Sequence, residues 1–146
     1  MAKGEGLNAD MISRLIDRAI EGMSYAYTPY SGFRVGAALL TESGEIYTGC
    51  NIENAAYTPT NCAEWTAFFK AVSEGERHFA AICIVGGKDG KLADYTSPCG
   101  VCRQVMMEFC EPEQFKIILA ISREEYRIYT LKELLPEGFG PARLAR

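Results

Sequence analysis

The feature that most constrains the fold is an unbroken apolar run, Phe-Ala-Ala-Ile-Cys-Ile-Val-Gly-Gly, at residues 79–87. A strand with one face in water alternates polar and apolar residues, so this run predicts a strand buried on both faces. Such a strand needs helices above and below its sheet, which favours a three-layer α/β architecture.

The remaining pattern supplies those helices and further strands. Asn8 is a suitable cap for a helix that runs to about Tyr25. Helices are also predicted at 62–74, 99–110 and 131–135, and strands at 34–41, 46–50, 115–122 and 126–130, followed by an irregular tail. The hairpin formed by 34–50 argues against a purely parallel sheet. The predicted fold is an α-β-α sandwich around a mixed five-stranded sheet, in a single domain spanning 1–146.

Size and charge exclude several function classes. The chain has 146 residues, the size of one domain, and a formal net charge of -4. That balance argues against a protein that grips nucleic-acid backbones, which requires clustered Lys and Arg. No apolar run approaches the ~20 residues of a membrane span, and residues 1–10 lack the apolar core of a secretory signal. We therefore expect a cytoplasmic protein with no nucleic-acid or membrane partner.

The counts of histidine and cysteine narrow the chemistry. His78 is the one histidine, which excludes an HExxH helix and any histidine-rich metal site. Six cysteines stand at 50, 62, 83, 99, 102 and 110. Without an export signal, metal or redox chemistry is favoured over disulfides, and a metal site would be dominated by cysteine.

Two of the predicted helices begin with cysteine. One opens Cys62-Ala63-Glu64, and the other opens Cys99-Gly-Val-Cys102, where two thiols share one side of a turn. Helix N-termini favour thiolates. Three thiolates would leave the fourth position of a zinc ion for water, as catalytic sites require, and Glu64 is placed to face that water.

Two other interpretations of the cysteines stay open at this point. Cys99 and Cys102 could form a thioredoxin-like redox pair. Alternatively, Cys50 or Cys83 could complete a structural four-cysteine zinc site, which would need no Glu64. Otherwise Cys50, Cys83 and Cys110 are interpreted as small buried apolar residues.

Five stretches of the chain carry a resemblance to a known family. They are Pro-Tyr-Ser-Gly-Phe-Arg-Val-Gly-Ala-Ala at 29–38, Gly-Cys-Asn-Ile-Glu-Asn-Ala at 49–55, Cys-Ala-Glu at 62–64, Ser-Pro-Cys-Gly-Val-Cys-Arg-Gln at 97–104, and Leu-Leu-Pro-Glu-Gly-Phe at 134–139. In this order they resemble the small homotetrameric zinc-dependent cytidine deaminases over nearly the whole chain.

The resemblance implies an activity and a set of site residues. Cytidine and deoxycytidine would be hydrolysed to uridine and deoxyuridine with release of ammonia, a step of pyrimidine salvage. Zinc would be held by Cys62, Cys99 and Cys102, while Glu64 would protonate N3 of the ring and later the departing ammonia. Asn51 and Glu53 would bind the ribose hydroxyls, and the Phe33 ring would pack against the nucleoside. The backbone around Ala63 and Ser97 would read the pyrimidine edge, and Tyr57 and Phe139 would come from neighbouring subunits of a homotetramer.

One position departs from the family pattern. The family usually has Cys-Ala-Glu-Arg, and this chain has Trp65. The family's arginine hydrogen-bonds the zinc thiolates and offsets their charge, whereas indole offers one neutral N–H. The hypothesis is reduced turnover, a shift towards modified cytidines or a cytosine antibiotic, or an impaired zinc scaffold, with Arg103 in partial compensation. Trp65 also fits a core stripe with Phe68, Phe69 and Val72.

Overall fold

The computed structural model describes residues 7–144, which contain one mixed five-stranded sheet. Its strand order is β2-β1-β3-β4-β5, where β3 and β4 are parallel and all other neighbours are antiparallel. The elements are α1 (Ala9–Met23), β1 (Phe33–Thr41), β2 (Ile46–Cys50), α2 (Ala63–Ser73), β3 (Phe79–Lys88), α3 (Gly100–Phe109), β4 (Lys116–Ala120), β5 (Tyr126–Thr130), α4 (Leu131–Leu134) and a 3-10 helix (Pro141–Leu144). The predicted fold class is confirmed.

The bounds of the predicted elements agree with the observed bounds to within two residues. One prediction is wrong, because the described part of the tail contains the 3-10 helix and is not wholly irregular. Asn8 caps α1 as predicted, since its side chain accepts a hydrogen bond from the backbone N–H of Met11 at 2.9 Å. Within residues 7–144 no helix is both long and apolar enough to cross a membrane.

Strand β3 lies at the centre of the sheet and is buried on both faces. Ile82 and Ile84 point into a core shared with α2 and α3, while Ala81 and Cys83 point into a second core beneath α1. Alternate side chains therefore serve different layers, as the period of two in a strand requires. The apolar run at residues 79–87 is accounted for by these two cores.

Helix α2 lies unusually close to the edge strand β2. A Cβ atom on Gly49 would stand 2.3 Å from the carbonyl oxygen of Ala63 and 2.6 Å from the backbone nitrogen of Ala67. Only glycine allows this approach. The start of α2 is therefore fixed against the end of β2, where Thr66 also donates a hydrogen bond to the Cys50 carbonyl at 2.9 Å.

The predicted apolar stripe on α2 is only partly in the core. Phe68 is fully buried and packs on other phenylalanine rings, but Phe69 is 47% exposed and Trp65 and Val72 are half-buried. The stripe continues beyond the width that the sheet covers, which leaves Phe69 outside. Among the non-ligand cysteines Cys83 is buried, whereas Cys50 and Cys110 are half-buried.

Candidate metal and catalytic site

The structure brings three cysteine thiols together at the starts of two helices. The sulfur atoms of Cys62, Cys99 and Cys102 all lie within 4.8 Å of one another. Three thiolates around one zinc ion stand about 3.8 Å apart, given Zn–S bonds of about 2.3 Å and tetrahedral angles. The donor set and its spacing therefore fit zinc, with three protein ligands.

Each helix presents its first cysteine at the N-cap position. Cys62 is the N-cap residue of α2, where its side chain accepts no capping hydrogen bond, and Cys99 is the N-cap residue of α3, where its sulfur accepts from the backbone N–H of Cys102 at 3.4 Å. Free N–H groups and the positive end of the helix dipole stabilise negative sulfur there. Pro98, whose fixed φ suits the entrance to a helix, lies one residue before the N-cap of α3.

The pKa values of two of the thiols are shifted in opposite directions. The Cys102 thiol hydrogen-bonds Cys62 and lowers the pKa of Cys62 to about 7. The pKa of Cys102 is raised, because it is the donor to Cys62 and because it is buried. Because a thiol must lose its proton to bind a metal ion, a cluster with one thiol that ionises near neutral pH favours binding of a cation.

Glu64 is a buried acid beside these thiols, only 5% exposed. Burial raises the pKa of Glu64, against the opposing effect of a hydrogen bond with Cys102. A carboxyl group with a raised pKa can both accept and return a proton near neutral pH. The site thus combines a metal-binding cluster with a group able to move protons.

No cationic side chain hydrogen-bonds these sulfurs within residues 7–144. The buried Nε1 of Trp65 has no hydrogen-bond partner, and its ring lies 6.1 Å from that of Phe69. Arg103 donates instead to the carbonyls of Pro98 and Leu134 and to the Ser97 hydroxyl. The expected compensation by Arg103 at the thiolates therefore has no direct contact to support it, and Arg103 ties α3 to the chain around α4.

Asn51 and Glu53 lie beyond the end of β2 and are engaged with the backbone near Phe33. Asn51 accepts from the Val35 N–H at 2.9 Å and donates to the Phe33 carbonyl at 2.8 Å. Glu53 accepts from the N–H groups of residues 30 and 31 at 3.0 and 3.1 Å. The family resemblance implies a ligand-binding role for both residues, and these specific contacts with the backbone of residues 30–35 were not predicted from the sequence.

A groove of about 440 Å³ opens between Phe33 and the segment that leads to α3. Phe33 is 41% exposed at its rim. Tyr95 lines the other side, and the guanidinium of Arg127 on β5 stands 4.1 Å from the centre of its ring. This cation–π contact anchors the segment that carries Ser97 and ends at Cys99.

Tyr57 and Phe139 are exposed in the isolated chain, at 77% and 58%. Tyr57 has a positive φ of 64° in a turn, which is unusual for a residue with a side chain. The Phe139 carbonyl accepts from Gln104 on α3 at 2.7 Å. Neither aromatic ring is covered by the described part of the chain.

The fold and the site define a class. It is a three-layer α/β protein that can hold one metal ion through cysteine thiolates, next to a buried acid. The four-cysteine alternative is not supported, since neither Cys50 nor Cys83 joins the cluster among the described residues. The redox-pair alternative leaves the convergence of Cys62 and Glu64 on the two thiols unexplained.

Comparisons with known proteins identify the family. The model of the cytidine and deoxycytidylate deaminase zinc-binding region matches residues 10–118. A cytidine deaminase of Sporosarcina psychrophila is 48% identical over 88% of this chain and 90% of its own length, and one from Halalkalibacterium halodurans is 48% identical over 86% and 91%. The crystal structure of the Burkholderia pseudomallei cytidine deaminase has a TM-score of 0.79 and 43% identity, covering 86% of this chain and 97% of that one. The chain belongs to the cytidine deaminase family of enzymes.

Proposed function

We propose that this chain hydrolyses cytidine and deoxycytidine to uridine and deoxyuridine with a zinc ion held by Cys62, Cys99 and Cys102. Relatives about half identical over most of the chain are named cytidine deaminases. The observation that carries the proposal is the buried carboxyl of Glu64 beside three clustered thiols. A hydrolase that replaces an amino group by oxygen needs a source of activated water and a proton carrier at one place.

Glu64 is the proton carrier in this proposal. Bound zinc would lower the pKa of a water molecule and so supply the nucleophile. Glu64 would take one proton from the attacking water and deliver it to N3 of the pyrimidine as the water oxygen bonds to C4. It would then take the second proton from the resulting C4 hydroxyl and deliver it to the amino group, so that the C4–N bond breaks and the C4 carbonyl forms. Water and cytidine thus yield uridine and ammonia, and Glu64 ends in its starting state. Burial suits Glu64 to both roles because it raises the carboxyl pKa above its ordinary value.

Phe33, which lines the groove, and four residues outside its lining are proposed to hold the nucleoside. Phe33 would pack against it, and the backbone of Ala63 and Ser97 would contact the pyrimidine edge. Asn51 keeps one amide hydrogen free after its bonds to β1, and Glu53 keeps acceptor capacity after its bonds to residues 30 and 31. One free donor and one free acceptor on neighbouring residues suit a sugar hydroxyl, which both accepts and donates.

A homotetramer is proposed on the basis of exposed aromatic side chains. Tyr57 and Phe139 would cover the pockets of neighbouring subunits, which accounts for two large rings left in solvent. Light scattering of the zinc-loaded protein would test the subunit number. A monomer that turns over cytidine would contradict pocket sharing.

The decisive experiment follows the ultraviolet absorbance change as purified zinc-loaded protein converts cytidine to uridine. Glu64→Gln keeps the shape of the side chain but cannot carry a proton, so we expect activity to fall by at least about 100-fold. Metal analysis should find the same zinc content in parent and variant. Glu74→Gln, at the exposed far end of α2, is the matched control and should retain parental activity.

Two results would contradict the proposal. A zinc-loaded parent that leaves cytidine and deoxycytidine unchanged would overturn the proposed activity. A Glu64→Gln variant with parental turnover would remove Glu64 from its role while leaving the reaction in place.

A further inference from the structure

Ser31 connects two features of the proposed nucleoside pocket. Its hydroxyl donates to Oε2 of Glu53 and accepts from the backbone N–H of Phe33, which is 2.9 Å away. Its backbone N–H donates to Oε1 of Glu53 at 3.1 Å. One residue therefore contacts both oxygens of the Glu53 carboxylate and the backbone of the aromatic residue at the groove.

The hydrogen bonds determine which acceptor position of Glu53 remains available. A carboxylate oxygen accepts about two hydrogen bonds. Oε1 is filled by the N–H groups of Tyr30 and Ser31, at 3.0 and 3.1 Å. Oε2 accepts one hydrogen bond from the Ser31 hydroxyl, which leaves one acceptor position free on Oε2. Holding the backbone N–H groups of residues 30 and 31 needs only Oε1 of Glu53. The additional hydrogen bond from the Ser31 hydroxyl to Oε2 fixes the rotation of the carboxylate about its bond to the side chain.

The turn that carries Ser31 is itself held from the opposite side. Lys88, at the end of β3, donates to the Ser31 carbonyl at 2.6 Å. The neighbouring N–H of Asp89 donates to the Gly32 carbonyl at 2.7 Å. Gly32 has a positive φ of 68°, a conformation that glycine adopts without strain. Ser31 is therefore held at a defined place relative to β3, and it cannot move freely with Glu53.

We propose that Ser31 is a positioning residue for sugar recognition: it orients the Glu53 carboxylate so that one acceptor direction on Oε2 meets a ring hydroxyl of the nucleoside. This inference rests on the proposed function, because it concerns the substrate of that same site. Ser31 does not touch the reacting atoms. Its loss should weaken the discrimination between nucleosides with and without sugar hydroxyls, and should leave the chemical step at C4 intact.

The test compares cytidine with 2′,3′-dideoxycytidine, which lacks both ring hydroxyls. In Ser31→Ala we expect KM for cytidine to rise roughly threefold to tenfold with kcat nearly unchanged, as for loss of the net contribution of one ordinary hydrogen bond. The kcat/KM ratio of the two substrates should narrow by the same factor. Ser31→Thr retains the hydroxyl and should restore most of the ratio. Ser73→Ala removes an exposed hydroxyl at the end of α2 and should leave every value unchanged.

A spectroscopic measurement detects the hydrogen bond between Ser31 and Glu53 in the absence of substrate. The Ser31 hydroxyl is the largest cause that lowers the pKa of Glu53 below its ordinary value. The Glu53 carboxyl carbon, followed by NMR, should therefore titrate at higher pH in Ser31→Ala than in the parent. Ser31→Cys, with a weak donor of similar size, is a second variant should the alanine variant not fold, and the same narrowing is expected of it.

The outcomes separate this inference from the proposed function. A folded Ser31→Ala or Ser31→Cys protein with the parental substrate ratio would overturn the role of Ser31 while the deaminase activity stands. A kcat that falls with KM unchanged would overturn it too, because that result assigns Ser31 to the chemical step. A parent that converts neither substrate overturns the proposed function, and sugar recognition falls with it even if the Glu53 titration shifts.

Discussion

At the scale of single residues, Trp65 distinguishes this site. Three thiolates on one zinc ion leave a net negative charge, and within residues 7–144 no cationic side chain hydrogen-bonds them. Negative charge near the metal makes bound water harder to deprotonate. The indole N–H of Trp65 is buried without a partner, so the side chain that replaces the family's arginine offers the sulfurs no hydrogen bond.

Trp65→Arg should therefore raise kcat for cytidine, by about threefold to tenfold, because a charge-assisted donor would be available to the thiolates. The same change removes the ring contact with Phe69 and should lower the free energy of unfolding by about 0.5–1.5 kcal/mol. Turnover and urea unfolding of zinc-loaded protein measure both effects. Trp65→Gln removes the ring without adding charge, and an equal rise in kcat there would exclude charge as the cause.

At the scale of elements, the site depends on how closely α2 approaches β2. Cys62 and Glu64 belong to the first turn of α2, and the position of that turn is set where Ala63 passes over Gly49. Strand β2 is at the edge of the sheet and pairs only with β1 on one side, so no further strand restrains its other side. A small displacement there moves one metal ligand relative to the two on α3.

Gly49→Ala should consequently damage both stability and metal binding. Its Cβ would stand 2.3 Å from a backbone carbonyl oxygen, which cannot rotate away, and such overpacking costs about 1–3 kcal/mol of unfolding free energy. Gly100→Ala is the matched control, because nothing lies within 4 Å of its Cβ in the first turn of α3. Urea unfolding and zinc titration would check this. Parental zinc affinity in a folded Gly49→Ala protein would contradict the coupling of the two.

At the scale of the whole molecule, one ion pair links distant parts of the chain. Arg123, in the turn between β4 and β5, donates to both carboxylate oxygens of Asp17 on α1. The hydrogen bond from Arg123 lowers the pKa of Asp17 below its ordinary value of 3.8. The unfolded chain therefore binds more protons than the native protein in this range, and stability increases with pH.

Asp17→Asn should make the free energy of unfolding depend less on pH in the acid range. The stabilisation in the parent is present above the ordinary pKa of Asp17 and is lost as the pH falls through the lower native pKa. Thermal unfolding between pH 5 and pH 2 should thus show a steeper decline for the parent than for the variant. Because both groups are exposed, high salt should reduce the difference. Identical slopes at low salt would show that the pair contributes nothing.

The layers and the elements could be predicted from the sequence because they depend on local periodicity, which is visible in short windows. The cysteines at helix starts indicated a shared metal ion, but the choice of Cys62, Cys99 and Cys102 among the open alternatives depended on the family resemblance. The roles of Ser31 and Arg103 depend on contacts with residues 22 and 31 positions away. Nothing in a short window says which distant carbonyl or carboxylate a side chain will meet. Phe69 was misassigned for the same reason, because helical spacing does not reveal where the sheet beneath a helix ends.

The close packing of sulfur in the site also has a practical consequence for handling. The sulfur atoms of Cys99 and Cys102 are 3.3 Å apart, and the pKa of Cys62 is about 7. Thiolate reacts with oxidants faster than thiol does. Protein stored in air after treatment with a chelator should therefore lose free sulfhydryl groups first at these three positions. Preparations meant for metal reconstitution need a reductant that binds zinc weakly. A count of free thiols will distinguish oxidised protein from reduced protein.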